Sequence, residues 1–218
     1  MMTATKPYIF FDLDGPILDV SEKYYQVYRH VLTELGFEPI DKDAYWTLKR
    51  KKEPVPNILG LSGAEHVLEQ YRTKRNELIE TKDFIRFDEL QPDAQSILTE
   101  LSENNTLILV TLRGSRTELM DELNNLDVLK HFETILSSGE KIDPRWKIKY
   151  NLINAHFDNK PPLPSWIIGD TETDILAGKN LGLNTIGVNS GIRSMERIQA
   201  VEPNHHIQDI RELRGILL

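Results

Sequence analysis

The chain has 218 residues, 39% of them hydrophobic and 28% charged, which suits one large globular domain or a core with a smaller satellite. Its formal net charge of −8 argues against non-specific nucleic-acid binding and against adhesion to an anionic membrane. It has no cysteine, no signal-peptide pattern and no apolar run of membrane-spanning length, so we expect a soluble cytoplasmic protein without disulfides or thiolate metal sites.

The first predicted element is a strand close to the N-terminus. The run Tyr8-Ile9-Phe10-Phe11 is continuously apolar, as in a strand that is buried on both faces of a sheet. It leads directly into Asp12-Leu13-Asp14-Gly15-Pro16, where glycine permits a sharp turn and proline ends the strand. Two acids therefore stand at the carboxyl end of a strand, which is where α/β proteins bind ligands. The alternative is an acidic turn that merely follows a core strand.

The next stretch, residues 20–87, is predicted to be helix and loop without a strand. Apolar residues recur at helical spacing at Tyr24, Tyr28, Val31 and Leu35. A weaker helix is predicted through 43–51, and the segment Ser62-Gly63-Ala64-Glu65 resembles a capping box that opens a long helix. We therefore expect residues 1–19 and 88–218 to form an α/β core and residues 20–87 to form an inserted helical cap.

Beyond residue 90 the pattern alternates between helices and buried strands. Helices are predicted at 92–101 and 115–126, from Asp143 onwards, and at 173–181. The strands predicted between and after them are Thr106–Val110, Phe132–Leu136, Ser165–Ile168 and Asn184–Val188. This alternation predicts a doubly wound, Rossmann-like parallel sheet with right-handed crossovers.

Polar groups follow three of the predicted strands: Asp12, Thr111 and Asp170, with Asp174 one helical turn after Asp170. Parallel strands point the same way, so these groups are expected to converge at one edge of the sheet. Clustered carboxylates without histidine or cysteine suit a hard cation, and Mg²⁺ fits best because it needs few protein ligands. Taken singly, Thr111 is also compatible with an ordinary turn and Asp170 with a helix N-cap.

These motifs resemble those of the haloacid dehalogenase superfamily, in particular its phosphoglycolate-phosphatase-like branch with a helical cap. The resemblance implies that Asp12 is the nucleophile and forms an aspartyl-phosphate, and that Asp14 is the general acid and base. It implies a Mg²⁺ ion held by Asp12, the backbone of Asp14 and Asp170. Phosphoryl oxygens would be held by Thr111 and the residues just after it, Leu112 and Arg113.

The family also uses a lysine before the fourth strand, and here two positions compete. Lys147 is favoured because its separation from Asp170 fits a single helix and loop, whereas Lys141 weakly resembles a second family variant. Asp174 would orient this lysine or metal-bound water. Pro16 departs from the family's usual threonine, which leaves the nucleophile in place but weakens the expectation of fast turnover.

The function expected from the resemblance is Mg²⁺-dependent hydrolysis of a small phosphorylated metabolite. A sugar phosphomutase that uses the same two acids remains open, as does a catalytically weak binding or regulatory protein on the same scaffold. The basic run Lys49–Lys52 in the insert either meets the anionic end of a substrate or forms a solvated helix face. Nothing in the sequence favours a monomer over a homodimer.

Overall fold

The computed structural model describes residues 6–140 and 142–218. Its central feature is a six-stranded parallel sheet with the strand order β5-β4-β1-β6-β7-β8. A separate antiparallel pair is formed by β2 and β3. The strand bounds are β1 Tyr8–Phe11, β2 Leu18–Asp19, β3 Glu89–Leu90, β4 Thr106–Thr111, β5 Thr134–Ser137, β6 Trp166–Gly169, β7 Asn184–Val188 and β8 His205–Ile207. The predicted doubly wound α/β fold is confirmed, and β8 is an edge strand that the sequence analysis did not predict.

Strand β1 lies in the middle of the sheet because its residues are apolar on both sides. Ile9, Phe10 and Phe11 are all fully buried. Phe10 packs with Ile108 and Ile153 on one face, whereas Ile9 and Phe11 belong to the larger apolar cluster on the other face. β1 pairs with β4 on one side and with β6 on the other. The acids that follow β1 are therefore flanked by the ends of two neighbouring strands.

Helices cover both faces of the sheet. α6 and α7 pack with the Ile9 and Phe11 face, and α8 and α9 contribute to the Phe10 face. The helix bounds are α1 Ser21–Glu34, α2 Lys42–Arg50, α3 Val55–Gly60, α4 Leu68–Leu78, α5 Lys82–Ile85, α6 Ala94–Asn104, α7 Arg116–Asn125, α8 Trp146–His156, α9 Glu172–Leu181, α10 Met195–Gln199 and α11 Arg214–Leu217. Within the described residues, none of these helices combines the length and the apolar character that a membrane crossing requires.

The segment between β2 and β3, residues 21–85, is helical and has an apolar cluster of its own. We refer to it as the insert. Its buried members include Tyr28, Tyr45, Leu59 and Tyr71. Because β2 and β3 pair antiparallel, the chain leaves and re-enters the sheet region through two adjacent strands.

Two predicted helix starts are wrong. Gly63 has a φ of +65°, which breaks the helical path, so the chain forms a 3₁₀ turn at Glu65–Val67 before α4 starts at Leu68. The helix predicted to start at Asp143 begins at Trp146.

Candidate active site

The polar residues at the ends of β1 and β6 meet at one edge of the sheet, as predicted. The Asp12 amide still donates to the Ile168 carbonyl at 2.9 Å, so Asp12 extends the pairing of β1 with β6. Carboxylate oxygens of Asp12, Asp170 and Asp174 lie within 4.8 Å of one another. Asp170 and Asp174 are fully buried. The fold thus gathers three acids that are far apart in the sequence.

Asp12 is held in one orientation by two donors on the same oxygen. The Leu13 amide donates to Oδ1 at 2.8 Å, and Lys149 Nζ lies 2.7 Å from that atom. Burial raises the pKa of Asp12 to about 7; Lys149 opposes this rise and Asp174 adds to it. Asp12 is therefore a carboxylate whose ionisation depends on the cations beside it.

The lysine that meets these acids is Lys149, not Lys147. Lys149 is almost completely buried, and its Nζ lies 2.5 Å from Asp174 Oδ1 as well as 2.7 Å from Asp12. Burial alone would lower the pKa of Lys149, but the two carboxylates outweigh it and hold the pKa above its usual range. Lys147 is exposed and lies over the ring of Trp146, and Lys141 lies outside the described residues.

Helical spacing explains the correction. Residues two positions apart on an α-helix are separated by about 200° of rotation, so Lys147 and Lys149 point to nearly opposite sides of α8. Lys149 is three residues after Trp146 and four before Ile153, which places it on the apolar face of α8. A lysine in the apolar stripe of a helix was thus the available signal.

Asp174 contacts Lys149 and also caps the first turn of α9. Its Oδ1 contacts Lys149, and its Oδ2 accepts hydrogen bonds from the Thr171 amide at 3.1 Å and the Thr171 hydroxyl at 2.8 Å. A Cβ at Gly169 would overlap the Asp174 side chain, so this glycine permits the close approach. Both oxygens of Asp174 are engaged by protein donors, in keeping with a residue that positions Lys149.

Asp170 has the free oxygen that a metal site requires. Its Oδ2 accepts a hydrogen bond from the Ile192 amide, whereas its buried Oδ1 has no partner among the described residues. Burial, followed by repulsion from Asp12 and Asp174, raises the pKa of Asp170 well above its usual range. Because an unpartnered buried carboxylate oxygen is costly, this group fits a hard cation with oxygen ligands.

Asp14 and Arg113 form an ion pair beside the three acids. Arg113 Nη2 lies 2.6 Å from Asp14 Oδ1, and Lys23 Nζ lies 3.8 Å from Asp14 Oδ2. Burial favours a higher pKa for Asp14, but Arg113 and Lys23 overcome it and lower the pKa to about 2. Asp14 is consequently an ionised carboxylate in this conformation.

The Arg113 side chain does not face the phosphate position predicted for it. It is almost fully buried, and it also contacts Asp88 at 2.8 Å and Glu122 at 3.1 Å. Lys23 completes the group through Asp88 at 2.5 Å. We call these five residues, Asp14, Lys23, Asp88, Arg113 and Glu122, the Arg113 cluster. The Arg113 guanidinium therefore binds three carboxylates of the protein itself.

One acid of the Arg113 cluster is favoured in its neutral form. The cluster contains three carboxyl groups and two cations, so full ionisation would leave a buried negative charge. Burial raises the pKa of Glu122 to about 8, against the lowering influence of Arg113 and with a further raise from Asp88. Glu122 Oε1 and Asp88 Oδ1 are both buried without another partner among the described residues. A proton on Glu122 balances the charges of the cluster.

Sequence reasoning missed Lys23, Asp88 and Glu122, although Glu122 carried a signal. It lies three residues after Leu119 and adjacent to Leu123, and both leucines are buried. A carboxylate on the apolar face of a helix requires a buried partner. Lys23 lies at the start of the insert and Asp88 lies just after its end, and only the folded chain brings them together.

Thr111 and Leu112 lie at the end of β4, next to β1. Thr111 is buried, and its hydroxyl oxygen accepts a hydrogen bond from the Arg113 amide at 3.3 Å. Leu112 is half-buried and starts the loop that leads to α7. The described geometry therefore leaves Thr111 and the Leu112 backbone at the sheet edge that carries Asp12.

The arrangement matches a known family. The family described as haloacid dehalogenase-like hydrolase matches residues 9–188, from β1 to the end of β7. The chain belongs to this hydrolase family. The match includes the two acids after β1, the strand end at Thr111 and the acids after β6.

Two curated relatives are similar over most of their length. The chain is 26% identical to pyrophosphatase PpaX from Bacillus velezensis over 231 residues, covering 95% of this chain and 94% of the relative. It is 25% identical to beta-phosphoglucomutase from Bacillus subtilis over 193 residues, covering 84% and 83%. Both the hydrolase and the mutase reaction thus occur among its relatives.

A solved structure supports the fold. The crystal structure of a predicted phosphoglycolate phosphatase from Haemophilus somnus superposes with a TM-score of 0.76 at 17% identity, covering 100% of both chains. At this identity the similarity concerns the fold. It extends over the insert as well as the sheet.

Proposed function

We propose that the protein is a Mg²⁺-dependent phosphatase that hydrolyses a small phosphorylated metabolite through an aspartyl-phosphate on Asp12. The observation that carries this proposal is the pairing of Lys149 with Asp12 beside Asp170, whose buried Oδ1 is unpartnered among the described residues. Family membership supports the reaction class, and the acidic cluster supports a metal ion.

The ligand set proposed for Mg²⁺ is the Asp12 carboxylate, the Asp170 carboxylate and the backbone carbonyl of Asp14. When bound, Mg²⁺ would neutralise the carboxylates and polarise a phosphoryl oxygen, so that an anionic nucleophile can approach an anionic phosphate. Asp174 is excluded from this set because both of its oxygens already accept from protein donors.

In the first step, an Asp12 oxygen forms a bond to phosphorus while the bond from phosphorus to the leaving oxygen breaks. Asp14 gives the leaving oxygen its proton. In the second step Asp14 removes a proton from water, the water oxygen bonds to phosphorus, and the Asp12 carboxylate is released. Lys149, the Thr111 hydroxyl and the Leu112 backbone would hold the phosphoryl oxygens.

The ionised Asp14 of this structure suits the second step. With a pKa of about 2 it is deprotonated at neutral pH, which is the form that accepts a proton, and weaker contact with Arg113 would make it a stronger base. The first step needs protonated Asp14, which requires its separation from Arg113. General acid–base catalysis of this kind contributes about 10²- to 10⁴-fold to the rate.

The insert is proposed to act as the cap over this site. Polar contacts join it to the core near Asp170: for example, Arg50 Nη2 donates to Asn189 Oδ1 at 2.8 Å, and Lys52 Nζ lies 3.2 Å from Glu172. The proposed division remains residues 1–19 and 88–218 for the core and residues 20–87 for the cap. Substrate selection would then depend on residues of the insert.

Hydrolysis of p-nitrophenyl phosphate tests the proposal. We expect phosphate release that requires Mg²⁺, stops with EDTA and falls at least about 10³-fold in Asp12→Asn, which removes the nucleophile. Asp83→Asn is the matched control, because Asp83 is exposed on α5. Activity that persists in Asp12→Asn, or that does not require Mg²⁺, would refute the mechanism. Binding of phosphate esters without turnover would instead support a regulatory protein.

A phosphomutase is the second candidate, favoured by the similarity to beta-phosphoglucomutase. It would use the same Asp12 and Asp14, but the phosphoryl group would return to the sugar rather than pass to water. Phosphorus NMR of a sugar phosphate incubated with the enzyme distinguishes the two. Steady release of inorganic phosphate supports the phosphatase, and accumulation of an isomeric sugar phosphate supports the mutase.

A further inference from the structure

The backbone carbonyl of Gly15, the residue after Asp14, is held by two side chains from distant parts of the chain. Gln91 Nε2 donates to the Gly15 oxygen at 3.0 Å, and Ser190 Oγ donates to it at 3.1 Å. Gln91 follows β3 and is almost completely buried, whereas Ser190 lies in the loop after β7. These two bonds use both acceptor positions of the carbonyl oxygen. We call residues 12–17 the acid loop.

Gly15 lies between two of the groups that are proposed to bind the metal. Its φ of +100° is a conformation that glycine adopts readily, and a Cβ here would overlap the Asp170 carboxylate. The Gly15 amide donates to the Leu18 carbonyl at 2.8 Å. Because a trans peptide is planar, this bond also sets the direction of the Asp14 carbonyl, which points the opposite way. The position of Gly15 therefore sets where the Asp14 carbonyl lies relative to Asp170.

The backbone amides that follow Gly15 are not available to its carbonyl. Pro16 has no amide hydrogen. The amides of Ile17 and Leu18 both donate to the Leu13 carbonyl, at 3.2 and 3.0 Å. The donors that hold the Gly15 carbonyl therefore come from the two side chains outside the acid loop.

Each of these two side chains belongs to a segment that has a second contact with the site. The Gln91 amide donates to the Ile17 carbonyl at 2.8 Å, so Gln91 holds the acid loop at two points. Ser190 stands two residues before Ile192, whose amide donates to Asp170 Oδ2. Ser190 thus joins the loop that holds Asp170 to the acid loop.

We propose that Gln91 and Ser190 are positioning residues for the metal and make the site selective for Mg²⁺ over Ca²⁺. By holding the Gly15 carbonyl, they keep the Asp14 carbonyl at a fixed distance from the Asp170 carboxylate. The inference rests on the ligand set of the proposed function. Mg²⁺ requires nearly octahedral geometry with bonds of about 2.0–2.1 Å, whereas Ca²⁺ accepts variable geometry at about 2.3–2.6 Å. An acid loop freed from these two side chains should therefore lose Mg²⁺ affinity before it loses Ca²⁺ affinity.

Isothermal titration calorimetry of the metal-free protein, with MgCl₂ and separately with CaCl₂, tests this proposal. Gln91→Met keeps the length of the side chain but removes its donor, and Ser190→Ala removes the hydroxyl. We expect each to raise the Kd for Mg²⁺ about 10-fold, as loss of a residue that orients a metal ligand typically does, and the Kd for Ca²⁺ by less than about 3-fold. Ser190→Thr keeps a hydroxyl and should retain the original Mg²⁺ affinity.

Gln95→Met and Ser96→Ala are the matched controls, because both residues are exposed on α6 and each loses a side-chain hydrogen bond outside the site. Gln95 Nε2 donates to Asp127 Oδ2 at 2.9 Å, and Ser96 Oγ donates to the Asp93 carbonyl at 3.2 Å. Both controls should bind Mg²⁺ and Ca²⁺ as the original protein does.

Three results would overturn the inference. The first is equal weakening of Mg²⁺ and Ca²⁺ binding in Gln91→Met and Ser190→Ala, which is the effect of a general loss of structure. The second is an unchanged Mg²⁺ affinity in both variants. The third is a Ser190→Thr that binds Mg²⁺ as weakly as Ser190→Ala. Should the buried Gln91→Met fail to fold, as judged by circular dichroism, the two Ser190 variants decide the outcome, because Ser190 is only half-buried.

The same titrations separate failure of this inference from failure of the proposed function. If the original protein binds Mg²⁺ and the variants bind it equally well, the positioning role is overturned and the ligand set stands. If Gln91→Met and Ser190→Ala shift the affinities as expected in a protein that releases no phosphate from p-nitrophenyl phosphate, the positioning role is supported and the phosphatase is refuted. Absence of Mg²⁺ binding by the original protein overturns both.

Discussion

Replacement of Lys149 by methionine is the sharpest test of the site, because this one ammonium group serves two buried carboxylates. Its Nζ lies 2.7 Å from Asp12 and 2.5 Å from Asp174. Methionine keeps the length and the apolar stem of the side chain but removes the charge. Three buried acids, Asp12, Asp170 and Asp174, would then share no cation from α8.

The expected cost follows from the geometry. Removing one partner of a buried ion pair typically destabilises a protein by about 3–5 kcal/mol, because the remaining charge is left uncompensated. Here part of this loss is relieved, since Asp12, with a pKa already raised to about 7, takes up a proton when Lys149 is gone. We therefore expect a loss of about 2–4 kcal/mol in the free energy of unfolding at pH 7.

Activity should fall more steeply than stability. A protonated Asp12 is a poor nucleophile, and the phosphoryl oxygens lose a charged donor, which alone costs about 10²- to 10³-fold in kcat. Urea denaturation and p-nitrophenyl phosphate hydrolysis at 20 °C measure the two effects on folded protein. Lys147→Met is the control, and it should leave both unchanged because Lys147 is exposed. An inactive Lys147→Met beside an active Lys149→Met would refute the assignment.

Three further predictions concern the metal site and the Arg113 cluster. Since burial raises the pKa of Glu122 to about 8, its protonated form stabilises the fold fully below pH 4.5, and this stability is lost as pH rises towards 8. The free energy of unfolding of Glu122→Gln, measured from pH 5 to 9, should therefore rise relative to that of the original protein by on the order of 2 kcal/mol as pH rises. A difference that stays constant with pH would contradict a neutral Glu122. Mg²⁺ at 100 times its Kd should stabilise the protein by about 2.7 kcal/mol, and in a thermal melt Asp170→Asn should abolish this increase, whereas an equal increase in both would place the ion elsewhere. Gly191→Ala should weaken Mg²⁺ binding about 10-fold in a titration because its Cβ would overlap the Asp170 carboxylate, while Gly215→Ala, which meets no neighbour, should not; equal affinities would contradict the close packing around Asp170.

The strands and their polar ends were readable from the sequence because they depend on local pattern. A continuous apolar run ending in acids predicts both a buried strand and the sheet edge at which it stops. Asn184–Val188 was predicted with the bounds it has in the structure, and β1 and β4 differ by one residue at most. The positions of Asp12 and Asp170 at one edge then follow from parallel pairing alone.

Choosing the lysine required the rotation of a helix. The sequence placed a lysine in α8, but the packing of this helix on the sheet decides which lysine meets the acids. Lys149 lies on the buried side of α8 with Ile153, whereas Lys147 is exposed. Lys149 is set against Asp12 only because the apolar stripe of α8 packs on the sheet.

By itself, then, the sequence determined the class of fold, the family and the two acids after β1, since each is a short-range pattern along the chain. Only the tertiary structure decided which cations face those acids. Arg113 is 99 residues from Asp14, and Arg193 donates to the Lys49 carbonyl across 144 residues. Electrostatic partners are selected by their distance in space and by their burial, and neither can be obtained from the spacing of charged residues along the sequence.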